Sequence, residues 1–145
     1  MYTIGQVSEM LHIPTSTLRY YDKQGFFPHL KRKGNIRYFG DAELEALQII
    51  QCLKRSGLEI KDIKKFFEWL SLGSSTYQNR KELFETRKLA VEHEIQELQK
   101  TLSMIKYKCW YYEQAIADGN EDKIHAMLPD KLPDDIQKLY DHAHQ

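Results

Sequence analysis

Apolar side chains recur every seven residues through the second half of the chain. Two core positions follow this repeat, and only Lys88 interrupts them with a charge. One position holds Phe84, Val91, Leu98, Ile105 and Tyr112, and the other holds Lys88, Ile95, Leu102, Cys109 and Ile116. A repeat sustained over more than about three heptads predicts a coiled coil. We therefore expect residues 74–118 to form one dimerisation helix whose apolar stripe is covered by a second chain.

Shorter patterns at the amino terminus predict a helix-turn-helix. The spacing of apolar residues within 4–11 places them on one face of a first helix. Thr3 and Gln6 are three residues apart, as in a capping box at a helix start. Pro14 separates this helix from a second one over residues 15–21. Small hydroxyl residues lead the second helix, and arginine and tyrosine follow one turn later, as suits a helix placed in a major groove.

A basic hairpin is predicted to follow this motif. Segments 29–33 and 36–39 flank Gly34 and Asn35, a pair that readily forms the turn of a β-hairpin. Three consecutive basic residues, 31–33, would repel one another without an anionic partner. A DNA backbone would supply that partner, which makes the hairpin the candidate wing of a winged helix. A solvated surface loop is the alternative interpretation.

Two further helices complete the first predicted domain. The first runs from Asp41, as its N-cap, to Arg55, and the second covers residues 61–70. Their apolar faces consist of Leu44, Leu47, Ile49 or Ile50, and Leu53 in the first, and of Ile63, Phe66, Phe67 and Leu70 in the second. Residues 71–75 are expected to form a flexible joint. The predicted domains are therefore a winged helix at 1–73, the long helix at 74–118 and a short polar tail at 119–145.

Charge is distributed unevenly along a chain whose formal net charge is zero. Residues 1–38 carry six Lys or Arg and two acidic residues, whereas ten basic and thirteen acidic residues follow from position 73 onward. A positive field at the amino end favours phosphate binding. No apolar run reaches the roughly 18 residues of a membrane span. Two cysteines without a spaced framework suit the reducing cytoplasm, and no cofactor is expected.

Several motifs, in order, resemble those of the MerR family of winged-helix transcription regulators. They are Thr17-Leu18-Arg19-Tyr20-Tyr21-Asp22, Gly25, Ile36-Arg37-Tyr38-Phe39, Asp41-Ala42-Glu43-Leu44 and the run from Leu53 to Ile63. The resemblance implies a mainly α fold, with a winged helix-turn-helix followed by an antiparallel coiled coil. It also implies a homodimer on a pseudo-palindromic promoter operator. Such a regulator distorts the DNA on signal and reaches RNA polymerase only through the promoter.

The resemblance assigns DNA contacts to particular residues. On the predicted recognition helix and the two wings these are Thr15, Ser16, Thr17, Arg19, Tyr20, Lys31, Arg37, Tyr38 and Lys61. The arginine and tyrosine of the hairpin would contact the DNA backbone. Lys61 would lie near phosphate at the start of a helix, where free N–H groups favour an anion.

Cys52 is the candidate signal sensor. Its surroundings resemble the NmlR/AdhR-like branch of the family, which responds to aldehydes and other electrophiles as a stress response. A thiolate is the nucleophile, and Lys54 and Arg55 would favour it, whereas the C-terminal end of a helix disfavours an anion. A small buried core residue is the alternative interpretation of this cysteine.

An aromatic cluster near the end of the long helix offers a different signal site. Tyr107, Trp110 and Tyr111 could line a pocket for a small apolar or cationic ligand, or could pack against the other subunit's DNA-binding domain. A metal site is not supported, because Cys52 and Cys109 are far apart in sequence and the histidines of the tail are expected to be solvated. An enzyme acting through Cys52 and a coiled-coil adaptor are rival classes. Neither a general base nor a phosphate loop is recognisable.

Overall fold

A computed structural model describes all 145 residues, most of them in helices. The elements are β1 (Tyr2–Thr3), α1 (Ile4–Leu11), α2 (Thr15–Lys23), β2 (Lys31–Lys33), β3 (Ile36–Phe39), α3 (Asp41–Arg55), α4 (Ile60–Leu72), a short 3-10 turn (Gly73–Thr76), α5 (Tyr77–Asp118), α6 (Asp122–Met127) and α7 (Asp134–Ala143). The three strands form one antiparallel sheet in the order β1-β3-β2. The prediction of a mainly α fold, with a helix-turn-helix, a hairpin and a long helix, is confirmed. No helix combines the length and apolar character needed to cross a membrane.

The first helix begins with the predicted capping box. The backbone N–H of Thr3 donates to Gln6 Oε1 at 2.9 Å, and the N–H of Gln6 donates to Thr3 Oγ1 at 3.3 Å. These two bonds satisfy donors that a helix start leaves open. The helix ends at His12, whose φ of 56° lies in the left-handed region. The chain therefore turns within three residues, and α2 follows directly after Pro14.

One apolar core holds the first compact unit, Met1–Arg87, together. Its buried members come from α1, α2, β3, α3, α4 and the loops between them: Val7, Ile13, Leu18, Tyr21, Phe26, Phe27, Phe39, Leu47, Ile50, Leu53, Leu58 and Ile63. The predicted stripe of α3 is therefore buried at Leu47, Ile50 and Leu53. Leu70 differs from its prediction, because it lies on the outer side of α4 with 38% of its surface exposed.

The start of α3 lies one residue earlier than the sequence suggests. Gly40 is the N-cap, and Asp41 is the first residue inside the helix rather than its cap. Glu43 accounts for the shift, because its buried Oε2 accepts a hydrogen bond from the N–H of Gly40 at 3.0 Å. Glycine has no side chain with which to return that bond. Only one half of a capping box is therefore formed here.

The joint between α4 and α5 is ordered, not flexible as expected. Thr76 is buried, and its Oγ1 lies 2.7 Å from the carbonyl oxygen of Trp69 and 2.8 Å from that of Gly73. Arg80 Nη2 donates to the same two carbonyls at 3.1 and 2.8 Å. The first unit continues into α5, where the ring of Phe84 packs edge-on against Phe66. The unit thus extends beyond the predicted boundary at residue 73.

The second compact unit, Lys88–Gln145, includes the segment predicted as a polar tail. This segment forms α6 and α7 and buries Ile124, Leu132 and Ile136. Ile124 packs with Tyr107 and Tyr111 of α5 in one apolar cluster. The segment differs from the expected solvated tail because its few apolar residues are spaced so that they meet the aromatic side of α5.

This packing predicts a large effect for Ile124→Ala. The side chain is fully buried, so its truncation removes apolar contacts and leaves a cavity. We expect the free energy of unfolding in urea to fall by about 2–5 kcal/mol. Lys123→Ala is the matched control in the same helix, because Lys123 is exposed and forms only a long ion pair with Asp118. Equal stabilities of the two variants would contradict the packed arrangement of α6.

Candidate nucleic-acid interface

Helix α2 presents a polar face next to a buried apolar one. Leu18 and Tyr21 are buried and fix the helix to the core, and burial, followed by the neighbouring Tyr20, raises the pKa of the Tyr21 phenol. On the outer face Arg19 Nη1 lies 3.5 Å from Thr15 Oγ1, one turn earlier. Ser16 and Tyr20, also one turn apart, are exposed. The helix therefore displays hydroxyl groups, a guanidinium and a phenol toward solvent.

The hairpin places two arginines directly opposite each other. In the β2–β3 register Arg32 pairs with Arg37, Lys31 with Tyr38 and Lys33 with Ile36. Gly34 and Asn35 form the predicted turn, and only Gly34 adopts positive φ, at 61°. Like charges at directly opposed positions destabilise a strand pair. This sheet therefore needs a counterion for its two guanidinium groups.

Asp22, at the end of α2, is that counterion. Its Oδ2 accepts from Arg32 Nη2 at 2.5 Å and from Arg37 Nε at 2.8 Å, and its side chain is only 9% exposed. The carboxylate thus ties the candidate recognition helix to the candidate wing. The two terminal nitrogens of Arg37 bond no protein group and remain available as donors. The sequence analysis includes Asp22 in a family motif but does not predict its ion pairs with the two arginines. An acidic residue among basic ones was the signal for such a pairing.

The opposite face of the hairpin carries the other basic residues. Since neighbouring side chains on a strand alternate in direction, Lys31, Lys33 and Tyr38 share a face that excludes Arg37. They border an open concavity together with Met1 and Arg32. The structure thus places Arg37 and Tyr38, predicted as a pair, on different faces. Arg37 lies on the side of α2, and Tyr38 lies beside Lys31.

Lys61 lies in the first turn of α4, which begins at Ile60 without a side-chain cap. Its ammonium is 3.5 Å from the Glu59 carboxylate, and both side chains are mostly exposed. An exposed pair of this kind contributes little to stability. Lys61 therefore has a neighbouring acid that the sequence analysis did not consider.

Cys52 lies near the C-terminal end of α3 and is exposed, not buried in the core as its alternative interpretation held. Its carbonyl oxygen accepts bonds from the backbone N–H of Ser56 at 3.1 Å and from Ser56 Oγ at 3.0 Å. The carbonyl of Ser56 in turn accepts a bond from Arg87 Nε on α5. Gly57, with φ of 87°, lies so close that a Cβ there would meet the Arg87 guanidinium at 2.3 Å. The helix that carries Cys52 is thus tied to the start of α5.

The aromatic cluster lies in the second unit, where the C-terminal segment covers it. Tyr107 and Tyr111 are buried, and Trp110 packs against the same cluster. The Tyr111 hydroxyl donates to Glu121 Oε1 at 2.5 Å and lies 3.1 Å from His125 Nε2. The bond to Glu121, followed by burial and the negative charge of that carboxylate, raises the pKa of Tyr111 to about 12. The pKa of Tyr107 is also raised, by burial and then by Tyr140.

Histidines of the C-terminal segment take part in this packing. The half-buried ring of His142 has its Nδ1 2.7 Å from Oγ of the buried Ser103. Within the sequence, Ser103, Tyr107 and Tyr111 recur every fourth residue, which places them on one face of α5. That second stripe was the signal for a covered face. The prediction for this helix rests on the heptad positions only and therefore does not include a second covered face.

Together, the helix-turn-helix and its basic hairpin define a winged-helix regulator of transcription. Residues 2–69 match the family model described as "MerR HTH family regulatory protein". An HTH-type transcriptional regulator of Haemophilus influenzae is 40% identical over 121 residues, covering 82% of this chain and 89% of that protein. The chain therefore belongs to the MerR family of helix-turn-helix regulators. It is a DNA-binding transcription regulator and not an enzyme.

Other relatives agree with this assignment. The crystal structure of HiNmlR, described as a MerR family regulator lacking the sensor domain and bound to promoter DNA, aligns with a TM-score of 0.71 and 36% identity. The alignment covers 91% of this chain and 98% of that one. The regulator AdhR of Bacillus subtilis is 30% identical over 81 residues, which span 55% of this chain and 58% of that protein.

The Tyr111 hydrogen bond predicts a delayed phenol titration. A pKa raised from 10.0 to about 12 means that the bond stabilises the fold fully below pH 10. That contribution is lost as the pH rises from 10 toward 12 and Tyr111 ionises in the folded state. The pKa values of Tyr21 and Tyr107 are also raised, so ultraviolet absorbance should show several late tyrosinates in wild type and one fewer in Tyr111→Phe. Tyr112→Phe, in which an exposed neighbour is changed, should keep all of them. Identical titrations of both variants would exclude the bond to Glu121.

Proposed function

We propose that the chain acts as a homodimer that binds promoter DNA and changes its output when Cys52 reacts with an aldehyde or a related electrophile. The observation that carries the DNA-binding part is the Asp22 carboxylate, which joins α2 and the hairpin through Arg32 and Arg37. A winged helix needs both elements in a fixed relation, because one must enter a groove while the other meets the backbone. The bound promoter DNA of HiNmlR supports the same interpretation.

In this proposal α2 is the recognition helix. Its docking residues are Thr15, Ser16, Thr17, Arg19 and Tyr20, and the phosphate contacts are Lys31, Arg37, Tyr38 and Lys61. Arg37 can bind Asp22 through Nε and a phosphate through its terminal nitrogens, since the guanidinium presents several donors in one plane. Lys31 and Tyr38 would contact the backbone from the other face of the hairpin.

The partner in the proposed dimer is a second copy paired along α5. The heptad side chains are left open to solvent within one chain, with Leu98 at 68% and Ile116 at 82% exposure. A helix seam of this kind is normally buried by another helix. The antiparallel orientation follows from the family resemblance. Two-fold symmetry would then require a pseudo-palindromic operator. RNA polymerase would be affected through the shape of the promoter. The proposed location of the protein is the cytoplasm.

The contact of Asp22 with Arg32 and Arg37, here called the clamp, can be tested by the direction in which DNA affinity changes. Asp22→Asn removes a negative charge near the expected phosphates, and simple electrostatics would therefore strengthen binding. We expect the opposite, a loss of about tenfold in affinity for operator duplex, because the freed wing must become ordered when DNA binds. Fluorescence anisotropy with a labelled duplex at fixed salt measures the effect.

Asp41→Asn is the matched control for that substitution. Asp41 is an exposed acid at the start of α3 without a bond to arginine, so the same charge change should leave affinity unchanged or slightly increased. Tighter binding by Asp22→Asn would reject the clamp. A wild-type protein that ignores duplex DNA even at low salt would reject the DNA-binding function and favour a coiled-coil adaptor.

The proposed signal step uses simple thiol chemistry. The Cys52 sulfur bonds to the carbonyl carbon of an aldehyde, the carbon–oxygen π bond breaks, and the thiol proton ends on the new hydroxyl group. No oxidant, metal or second cysteine is needed. The exposed position of Cys52 allows a small aldehyde to reach it.

A path from Cys52 to the dimer helix supports this role. The added group would sit one turn before Ser56, which bonds the Cys52 carbonyl through both its N–H and its hydroxyl. Arg87, which belongs to α5, donates a hydrogen bond to the carbonyl oxygen of Ser56. A shift of the end of α3 would therefore act on α5, provided that the adduct favours one of two arrangements of this contact.

Cys52→Ser should abolish the response to aldehyde in transcription from the protein's own promoter. Serine keeps the size of the side chain but is a far weaker nucleophile at neutral pH. We expect operator affinity without aldehyde to remain within about twofold, because Cys52 is not among the proposed DNA contacts. In-vitro transcription with and without formaldehyde measures the response.

Cys109→Ser controls for reaction at the other exposed thiol and should respond like wild type. A response that survives in Cys52→Ser but not in Cys109→Ser would move the sensor to α5. If it survives in both variants, the covalent mechanism is excluded while DNA binding stands. A non-covalent ligand would then be the signal.

A further inference from the structure

We propose that a cavity in the second unit binds a small planar aromatic anion, such as an aryl carboxylate. The cavity measures about 410 Å³, within the range of about 300–1,000 Å³ typical of small-molecule sites. It is bordered by residues of α5 and of the C-terminal segment, among them Tyr107, Lys108, Tyr111, Tyr112, Tyr140 and His144. The inference concerns binding to this unit and does not depend on the chemistry of Cys52.

The walls of the cavity favour a flat ring. Tyr107 meets Tyr140 edge-on, with ring centroids 5.2 Å apart, and meets Tyr111 at 6.0 Å. Tyr140 in turn stacks on His144 at 4.0 Å, with the two planes 29° apart. Faces and edges of several aromatic rings thus border one side of the space. Aromatic ligands pack well in such offset and edge-to-face arrangements.

The position of Lys108 determines the sign of the ligand's charge. Its Nζ lies 5.6 Å from the centroid of the Tyr107 ring and 5.3 Å from that of Tyr111. The protein's own ammonium therefore already occupies the place over these rings where a cationic ligand would sit. Lys108 makes no ion pair with a carboxylate. The aromatic residues alone favoured an apolar or cationic ligand, whereas the position of this lysine favours an anion.

The other polar groups that border the cavity carry no negative charge. His144 Nδ1 lies 2.6 Å from the carbonyl oxygen of Tyr140, which leaves Nε2 without a partner. No carboxylate borders the cavity. Glu121, which lies near Tyr111, already accepts the hydroxyl proton of that residue. The uncompensated ammonium of Lys108, with no carboxylate beside it, suits an anion that accepts hydrogen bonds.

Three probes of nearly equal shape test the charge preference. Benzoate, benzamide and benzamidinium carry charges of −1, 0 and +1 on the same ring. Binding to the full-length protein is followed through Trp110, which packs against the cluster, in a Trp69→Phe background that leaves Trp110 as the only indole. We expect benzoate to bind about tenfold more tightly than benzamide, and benzamidinium more weakly than both.

Lys108→Met should lower the affinity for benzoate to that for benzamide, because methionine keeps the chain length but not the charge. Lys106→Met is the matched control, since Lys106 is an exposed lysine two residues away that does not border the cavity. Circular dichroism establishes that both variants fold. Absence of saturable binding, equal binding of the three probes, or preference for benzamidinium would overturn the proposal. If Lys106→Met lowers the affinity for benzoate as much as Lys108→Met does, binding is due to unspecific attraction by the charge of the helix, and the proposed role of Lys108 is rejected.

Discussion

Helix α5 carries apolar side chains on two of its sides, and the chain itself covers only one of them. The covered side includes Ser103, Tyr107 and Tyr111, which α6 and α7 bury. The other side is the heptad stripe, which remains exposed at residues such as Leu98 and Ile116. Burial of apolar area stabilises by roughly 25 cal/mol per Å². Burial of the open stripe on this helix of 42 residues would therefore stabilise a paired state, and the proposed second copy is the partner that matches the heptads. The C-terminal segment leaves most of that stripe free because it packs where a coiled coil normally faces solvent, and of the heptad residues only Tyr112 borders the cavity.

In the first unit, the hairpin requires a negative charge close to Arg32 and Arg37. A hairpin with Arg32 opposite Arg37 would repel itself, and a basic wing without support would be mobile when DNA arrives. The nearly buried carboxylate of Asp22 satisfies both guanidinium groups with one oxygen. The same contact connects the wing to α2, so a single acid serves the stability of the sheet and the geometry of the candidate interface. The positive charge of Lys31 and Lys33, on the other face, is left uncompensated within the chain. Phosphate is the natural partner for it.

Features that depend on neighbouring residues could be predicted from the sequence. The capping box of Thr3 and Gln6, the buried stripe of α3 and the length of α5 each follow from spacing along one element. Contacts between distant residues could not be predicted in this way. Asp22 and Arg37 are fifteen positions apart in sequence and meet only after the chain between them has folded. Similarly, Ile124, Leu132 and Ile136 are too few to mark a core, and their burial depends on the aromatic side of α5. The aromatic residues predicted a ligand site but gave no sign of the ligand's charge, which in the proposal depends on the position of Lys108.

The two candidate signal sites would act on different parts of α5. Cys52 is linked through Ser56 to Arg87, the last residue of the first unit, whereas the cavity is built entirely within the second. A signal changes the state of a regulator only by the difference in its free energy of interaction with two states. At Gly57 the Arg87 guanidinium packs closely on the backbone, so a shift of the end of α3 would alter this contact. At the cavity a ligand would act on the packing of the C-terminal segment against α5, because Tyr140 and His144 come from that segment and Tyr107 comes from the helix. A covalent adduct and a bound anion would thus reach the same helix by independent contacts, so neither site requires the other in order to function.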